Sequence, residues 1–179
     1  MRMLTLLATG TALLLSAPAF GQAATSAEAT ATFMNAEGAE VGTATLTQTA
    51  EGVSITGEIT GVEPGDHGFH IHKVGDCDAS TGFESAGDHF NPQSNQHGLE
   101  NPEGPHAGDM RNQTAGDDGT VTLDVTTTLV SLNEGDPGYL FDDDGSALVL
   151  HAEPDDQMTD PSGNSGDRIA CAVIEPAPA

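Results

Sequence analysis

The chain of 179 residues has no tryptophan, one tyrosine and only four basic residues, against 28 aspartates and glutamates. A formal charge of −24 at pH 7 excludes the basic face that nucleic acid phosphates require. The same charge disfavours docking on an anionic membrane surface. Few aromatic residues and a high charge can indicate disorder. Here the acidic residues alternate with valine- and leucine-bearing segments, which favours a folded domain with an acidic surface.

Long apolar runs are absent beyond the N-terminus. The first 23 residues have a basic start at Arg2, an apolar run over 4–15, and small residues suited to cleavage after Ala19 or Ala23. This layout is typical of a secretory signal peptide, and the run is too short for a good membrane span. We therefore expect a signal peptide over 1–23 and a single domain over 24–179, exported to a periplasm. Roughly 155 residues suffice for one core, but not comfortably for two.

Cysteine is scarce, with only Cys77 and Cys171 in the chain. In an oxidising compartment an even count favours one disulfide over two free thiols. A bond between them would close a loop of roughly 94 residues. By lowering the entropy of the unfolded chain, it would stabilise the folded state by about 4 to 5 kcal/mol.

A helical stripe of apolar residues is missing from every segment of ten or more residues. Short segments instead alternate apolar and polar residues, as half-buried strands do. They predict strands over 27–35, 41–50, 52–60, 120–130, 147–153 and 168–175. We expect an all-β fold, a Greek-key β-barrel or sandwich of about eight antiparallel strands. Two long loops, over 74–108 and 153–167, interrupt the pattern, and loops of such length in a compact domain indicate a function or a constraint.

Histidine is concentrated in one short segment. Three of the seven histidines, His67, His70 and His72, lie within six positions. On an extended strand His70 and His72 share one face, while Phe69 and Ile71 share the other. The pair could therefore clamp a metal on one side of a sheet. Two surface histidines on a polar strand face are the alternative.

The first long loop carries His89, His97 and His106, and Asp109 follows three residues after the last of them. Three imidazoles and a carboxylate form a closed tetrahedral set for Zn²⁺. A polar loop that contains histidines by chance is the alternative, but such a loop would have nothing to hold it in place. His151 lies on a predicted strand, where alone it would be an ordinary edge histidine.

Taken in order, the segments HGFHIHKVGD, GDHFNP, QHG, HAGD, ALVLHAE and GNSGDRIACAVI resemble the copper–zinc superoxide dismutases, in their exported bacterial form. The resemblance spans residues 28 to 175. It implies dismutation of superoxide to O₂ and hydrogen peroxide by alternating reduction and oxidation of a histidine-bound copper, with a structural zinc bridged through His89. The implied copper ligands are His70, His72, His89 and His151, and the implied zinc ligands are His89, His97, His106 and Asp109.

The resemblance also implies roles outside the ligand set. Asp155 would accept hydrogen bonds from His70 and His97 and so orient both rings. His67 would hold the end of its strand and the adjoining loop. Asp156 is expected to be a solvated acidic residue.

Catalysis is implied for Arg168, which would dock superoxide beside the copper, and for His89, which would take up a proton on its copper side. An ordinary surface arginine is the alternative for Arg168. Many members of the family place lysines in the loop before this arginine, whereas residues 153–167 contain none. Apart from the implied metals, only Arg168 and Lys73 could then attract an anion locally.

The residues alone leave two other classes of protein open. A carrier of copper and zinc would need the ligands but not Arg168. A non-catalytic domain held together by zinc would need only the loop ligands. The bacterial members include monomers and dimers, so a homodimer is an alternative to a monomer.

Overall fold

The computed structural model describes residues 27–178, so the expected signal peptide lies outside the described residues. Within that range the chain forms ten β-strands and two single-turn 3₁₀ helices. The strands are β1 (Glu28–Asn35), β2 (Glu40–Thr49), β3 (Gly52–Thr60), β4 (Gly65–His67), β5 (Phe69–His72), β6 (Gln113–Ala115), β7 (Thr120–Thr127), β8 (Ala147–His151), β9 (Arg168–Val173) and β10 (Glu175–Pro176). Across residues 27–178, no helix has the length and apolar character needed to cross a lipid bilayer.

Nine of these strands form one antiparallel sheet, in the order β4-β6-β7-β3-β2-β1-β9-β8-β5, and β10 pairs with β1. Only Gly68 separates β4 from β5, so the two ends of the sheet are neighbours and the sheet nearly closes into a barrel. The expected all-β barrel is confirmed. The strand number exceeds eight because residues 65–72 divide at Gly68, and because β6 and β10 are too short to show alternation.

The alternation along β7 follows the expected pattern. Val121 and Leu123 are buried in the core, and the residues that follow each of them, Thr122 and Asp124, are exposed. In contrast, every residue of β5 and β8 is buried. One face of these two strands packs into the core, and the other lies beneath the long loops.

The two long loops connect β5 to β6 and β8 to β9, as expected. The first is fastened to the barrel by a disulfide between Cys77 and Cys171, whose Cα atoms are 5.6 Å apart. A small apolar cluster reinforces this attachment, formed by Phe83, Ala86, Ala147, Val149 and Cys171. The start of the loop is therefore fixed against the outer face of β8 and β9.

Candidate metal centre

Four histidines meet at the outer face of β5 and form what we call the first cluster: His70, His72, His89 and His151. One ring nitrogen from each of the four lies within 4.8 Å of those of the other three, and all four side chains are buried. The period of the strand places His70 and His72 on one face of β5. His151 ends the neighbouring strand β8, and His89 reaches the cluster through a β-bridge with His72.

The second cluster consists of His89, His97, His106 and Asp109, again with ligand atoms within 4.8 Å. Oδ1 of Asp109 lies 2.9 Å from Nδ1 of His89, 3.0 Å from Nδ1 of His97 and 3.4 Å from Nδ1 of His106. Its Oδ2 accepts hydrogen bonds from the backbone N–H of Gly98 and of His106. The loop therefore wraps around one carboxylate.

His89 belongs to both clusters, because its two ring nitrogens point in opposite directions. Nδ1 faces Asp109, whereas Nε2 is buried without a hydrogen-bond partner among residues 27–178. Nδ1 of His70 is also buried without such a partner. Buried polar atoms are rarely left unpaired, so both nitrogens fit metal ligands. Imidazole and carboxylate donors suit copper and zinc, and the residues therefore fit a centre for two metals.

Backbone carbonyls fix the orientation of two rings in the first cluster. Nδ1 of His72 donates to the carbonyl oxygen of Gly87 at 2.8 Å, and Nδ1 of His151 donates to that of Gly166 at 3.2 Å. Their Nε2 atoms face each other at 3.4 Å. A proton held on Nδ1 leaves a lone pair on Nε2, which is the form a metal requires.

Asp155 connects the two clusters. Its Oδ2 accepts from Nε2 of His70 at 2.6 Å, and its Oδ1 accepts from Nε2 of His97 at 3.0 Å. Asn112, which the sequence did not single out, fixes the backbone of Asp155 through two hydrogen bonds of 2.8 and 2.9 Å. Gly163 has φ +63°, and a Cβ atom there would overlap the Asp155 carboxylate. Glycine at this position therefore leaves room for the bridging carboxylate.

The protonation states suit metal binding in the first cluster. Burial, followed by repulsion from His70, lowers the pKa of His89 to about 4 and that of His151 to about 3. Burial would also lower the pKa of His97, but hydrogen bonds from its two ring nitrogens to the carboxylates of Asp109 and Asp155 outweigh it and raise that pKa to about 9. At neutral pH the rings of His89 and His151 are thus neutral, whereas the ring of His97 is protonated on both nitrogens and positively charged in the absence of metal.

A cavity of about 600 Å³ opens onto the first cluster and is lined by His72, His89 and His151. Arg168 forms part of its wall, and so do three carboxylates, those of Glu84, Asp88 and Asp167. An anion that approaches the first cluster therefore meets both signs of charge.

Arg168 is held in place by backbone oxygens. Its Nη1 donates to the carbonyl of Phe83 at 2.6 Å, and its Nη2 donates to that of Gly87 at 2.8 Å. Lys73 does not supply a second free charge, because its Nζ lies 2.7 Å from the carboxylate of Asp88.

Two further residues lie outside both clusters. The ring nitrogens of His67 lie 2.8 Å from the carbonyl oxygens of His151 and of Glu63, so this ring links β4 to the end of β8. Asp156 is exposed, and its Oδ1 accepts from the backbone N–H groups of Met158 and Thr159. It therefore stabilises a turn as well as meeting solvent.

Comparison with known proteins identifies the family. Residues 40–174 match the family model described as copper/zinc superoxide dismutase (SODC). The chain is 47% identical over 148 residues to Superoxide dismutase [Cu-Zn] 2 of Aquifex aeolicus, which covers 82% of this chain and 86% of the relative. It is 41% identical over 149 residues to Superoxide dismutase [Cu-Zn] of Caulobacter vibrioides, covering 82% and 85%.

A solved structure has the same fold. The crystal structure of a SOD-like protein from Bacillus subtilis superposes with a TM-score of 0.77 at 41% identity, covering 80% of this chain and 95% of the other. The matched span includes every residue of the two clusters. The chain therefore belongs to the copper/zinc superoxide dismutase family, whose members convert superoxide to O₂ and hydrogen peroxide with copper and zinc as cofactors.

Proposed function

We propose that the first cluster binds copper, that the second cluster binds zinc, and that the imidazole of His89 is shared between them. The observation that carries this assignment is the position of His89. Its Nδ1 lies 2.9 Å from Oδ1 of Asp109 in the second cluster, and its buried Nε2 faces the first cluster without a partner among residues 27–178. Three rings of the first cluster line the cavity of about 600 Å³, whereas the second cluster contributes only the shared ring of His89. Because a substrate can reach the first cluster through this cavity, we assign the redox metal to it.

Bound copper would supply one-electron chemistry by alternating between two oxidation states, and bound zinc would supply fixed positive charge. Two superoxide anions and two protons yield one O₂ and one hydrogen peroxide. Nε2 of His89 lies beside the cavity and can hold one of these protons while the ring stays neutral, because Nδ1, which faces the second cluster, would carry no proton as a zinc ligand.

Arg168 would dock the superoxide anion. A guanidinium has five N–H donors, and the two hydrogen bonds to Phe83 and Gly87 leave others for an anion. The same two bonds orient the planar group before substrate arrives, so little freedom is lost on binding.

The test is superoxide decay followed by stopped flow, with copper and zinc content measured on the same sample. We expect one copper and one zinc per chain, and a decrease in kcat/KM on the order of tenfold to a hundredfold in Arg168→Ala with both metals retained. Arg111→Ala is the matched control, because it removes an exposed arginine that does not line the cavity. Full metal loading without superoxide decay would make a metal carrier the better assignment. Zinc without copper would favour the domain held together by zinc.

We further propose that residues 1–23 direct export to a periplasm and are removed. The basic start, the apolar run and the cleavable small residues support this, as does a disulfide of the kind that persists in oxidising compartments. The intact mass of protein from a periplasmic extract distinguishes cleavage after Ala19 from cleavage after Ala23. Uncleaved protein in the cytosol would contradict export. Sedimentation of the same preparation decides between a monomer and a homodimer.

A further inference from the structure

A carboxylate lies beside the arginine that faces the copper-side cavity. Oε2 of Glu84 is 3.7 Å from Nη2 of Arg168, and both residues line the cavity together with rings of the first cluster. The Glu84 side chain is 76% exposed, whereas that of Arg168 is 13% exposed. Glu84 is therefore the more solvent-exposed of the two charges in the cavity that opens onto the first cluster.

Glu84 is not needed to hold the guanidinium. Arg168 is already fixed by the carbonyl oxygens of Phe83 and Gly87, on either side of Glu84 in the chain. A separation of 3.7 Å is also too long for a hydrogen bond. What Glu84 adds is a negative charge at the place where anions dock.

The other two carboxylates of the cavity differ from Glu84 in this respect. Asp88 is paired with Lys73 at 2.7 Å, which offsets its charge. The Asp167 carboxylate forms no ion pair among residues 27–178, so it is not in contact with the guanidinium of Arg168. Within the same range, the carboxylate that does contact this guanidinium is that of Glu84. Glu84 is therefore the carboxylate best placed to weaken anion binding at Arg168.

We propose that Glu84 is a specificity-determining residue that selects the monovalent superoxide anion over divalent anions. Coulomb repulsion is proportional to the charge of the approaching anion. Two unit charges about 6 Å apart in water repel each other by an energy that corresponds to roughly a threefold change in affinity. A divalent anion would be disfavoured by the square of that factor, about ninefold. This inference rests on the proposed docking role of Arg168.

The experiment uses the copper- and zinc-loaded protein and two probes, azide as the monovalent anion and sulfate as the divalent anion. Azide binding is followed by the absorption of its copper complex, and sulfate binding by competition with azide, at a constant ionic strength of about 10 mM, where screening is weak. In Glu84→Gln we expect the Kd of azide to decrease about threefold and that of sulfate about ninefold. Equal changes for the two anions, or no change, would overturn the proposal.

Two variants make the result specific. Glu51→Gln removes the same charge from a site far from the cavity. Glu51 follows the last residue of β2, whereas Ala36, which lines the cavity, precedes the first residue of that strand. Ten residues of strand span about 33 Å, so neither Kd should change. Glu84→Asp retains the charge, so the ratio of the sulfate Kd to the azide Kd should stay that of the original protein. If Glu84 acted only through its shape and packing, the shorter side chain would not be expected to preserve this ratio. If Arg168→Ala leaves both Kd values unchanged, the docking role itself fails; if only Glu84→Gln has no effect, the selection by Glu84 fails.

Discussion

Replacing Asp155 by asparagine tests whether one buried carboxylate orients ligands for both metals. Asp155 is 3% exposed, and its two oxygens accept from Nε2 of His70 and Nε2 of His97. Burial would raise the pKa of Asp155, but the hydrogen bonds from these two rings outweigh it and hold the pKa well below its usual range. The carboxylate is therefore ionised at neutral pH. It keeps a proton on each Nε2, so Nδ1 is the nitrogen left to bind a metal, directly in His70 and after loss of its second proton in His97.

Asparagine cannot accept from both rings, because its side chain has one oxygen and one NH₂ group. One ring must lose its hydrogen bond or move its proton to Nδ1, the nitrogen that faces the metal. His70 is placed by β5, which is paired with β8, whereas His97 lies in a loop without strand pairing. We therefore expect zinc to be affected more than copper. Loss of such an orienting group typically lowers metal affinity 10- to 100-fold, equivalent to about 1.4 to 2.7 kcal/mol.

The assay is competition for zinc against a chromophoric chelator, with copper content and superoxide decay measured on the same samples. Asp156→Asn is the matched control, because Asp156 is the adjacent residue, is exposed, and bonds only within its own loop. We expect its zinc affinity to stay within about threefold of that of the original protein. The reasoning fails if Asp155→Asn keeps its zinc affinity, or if both variants lose it equally.

Two further predictions concern solution conditions. Because three carboxylates line the cavity and the chain carries a formal charge of −24, kcat/KM should stay flat or rise as salt increases from about 10 to 200 mM; a steep monotonic fall would refute this. In the metal-free protein the raised pKa of His97 contributes stability that is fully present below about 6.5 and is lost as the pH rises through about 9. Zinc must displace that proton, so zinc affinity should rise with pH up to about 9, with about one proton released near pH 7.5. Calorimetry in buffers of different ionisation enthalpy measures the proton release, and a zinc affinity independent of pH between 7 and 8.5 would contradict the assigned role of His97.

Local periodicity was enough to predict most of the barrel. The alternation of Val121 and Leu123 with polar neighbours predicted β7, and the two-residue spacing of His70 and His72 predicted that they share a face. Both features depend only on the geometry of an extended chain, which repeats every two residues. The division at Gly68 could not be predicted in this way, because it depends on pairing with two strands at opposite ends of the sheet.

The contacts that support the site are of a different kind. Asn112 and Asp155 are 43 residues apart, and no local pattern connects them. Glu84 is an ordinary polar residue in the sequence, and only the fold brings it beside Arg168. The histidines themselves were recognisable because imidazole is chemically specific and because three of the seven lie within six positions. The residues that orient them are common types whose roles depend on long-range contacts.

One short segment, residues 83–87, connects the stability of the fold to the chemistry of the site. The carbonyl of Gly87 accepts hydrogen bonds both from His72 and from Arg168, at 2.8 Å in each case. Phe83 lies in the left-handed region at φ 63°, which is unfavourable for a bulky residue, yet its ring is fully buried and its carbonyl accepts from Arg168. The segment is held in this conformation by the apolar cluster and by the disulfide from Cys77, six residues before Phe83. Because the same backbone atoms position a proposed copper ligand and the proposed docking group, loss of the disulfide would disturb both together, even where the barrel remains folded.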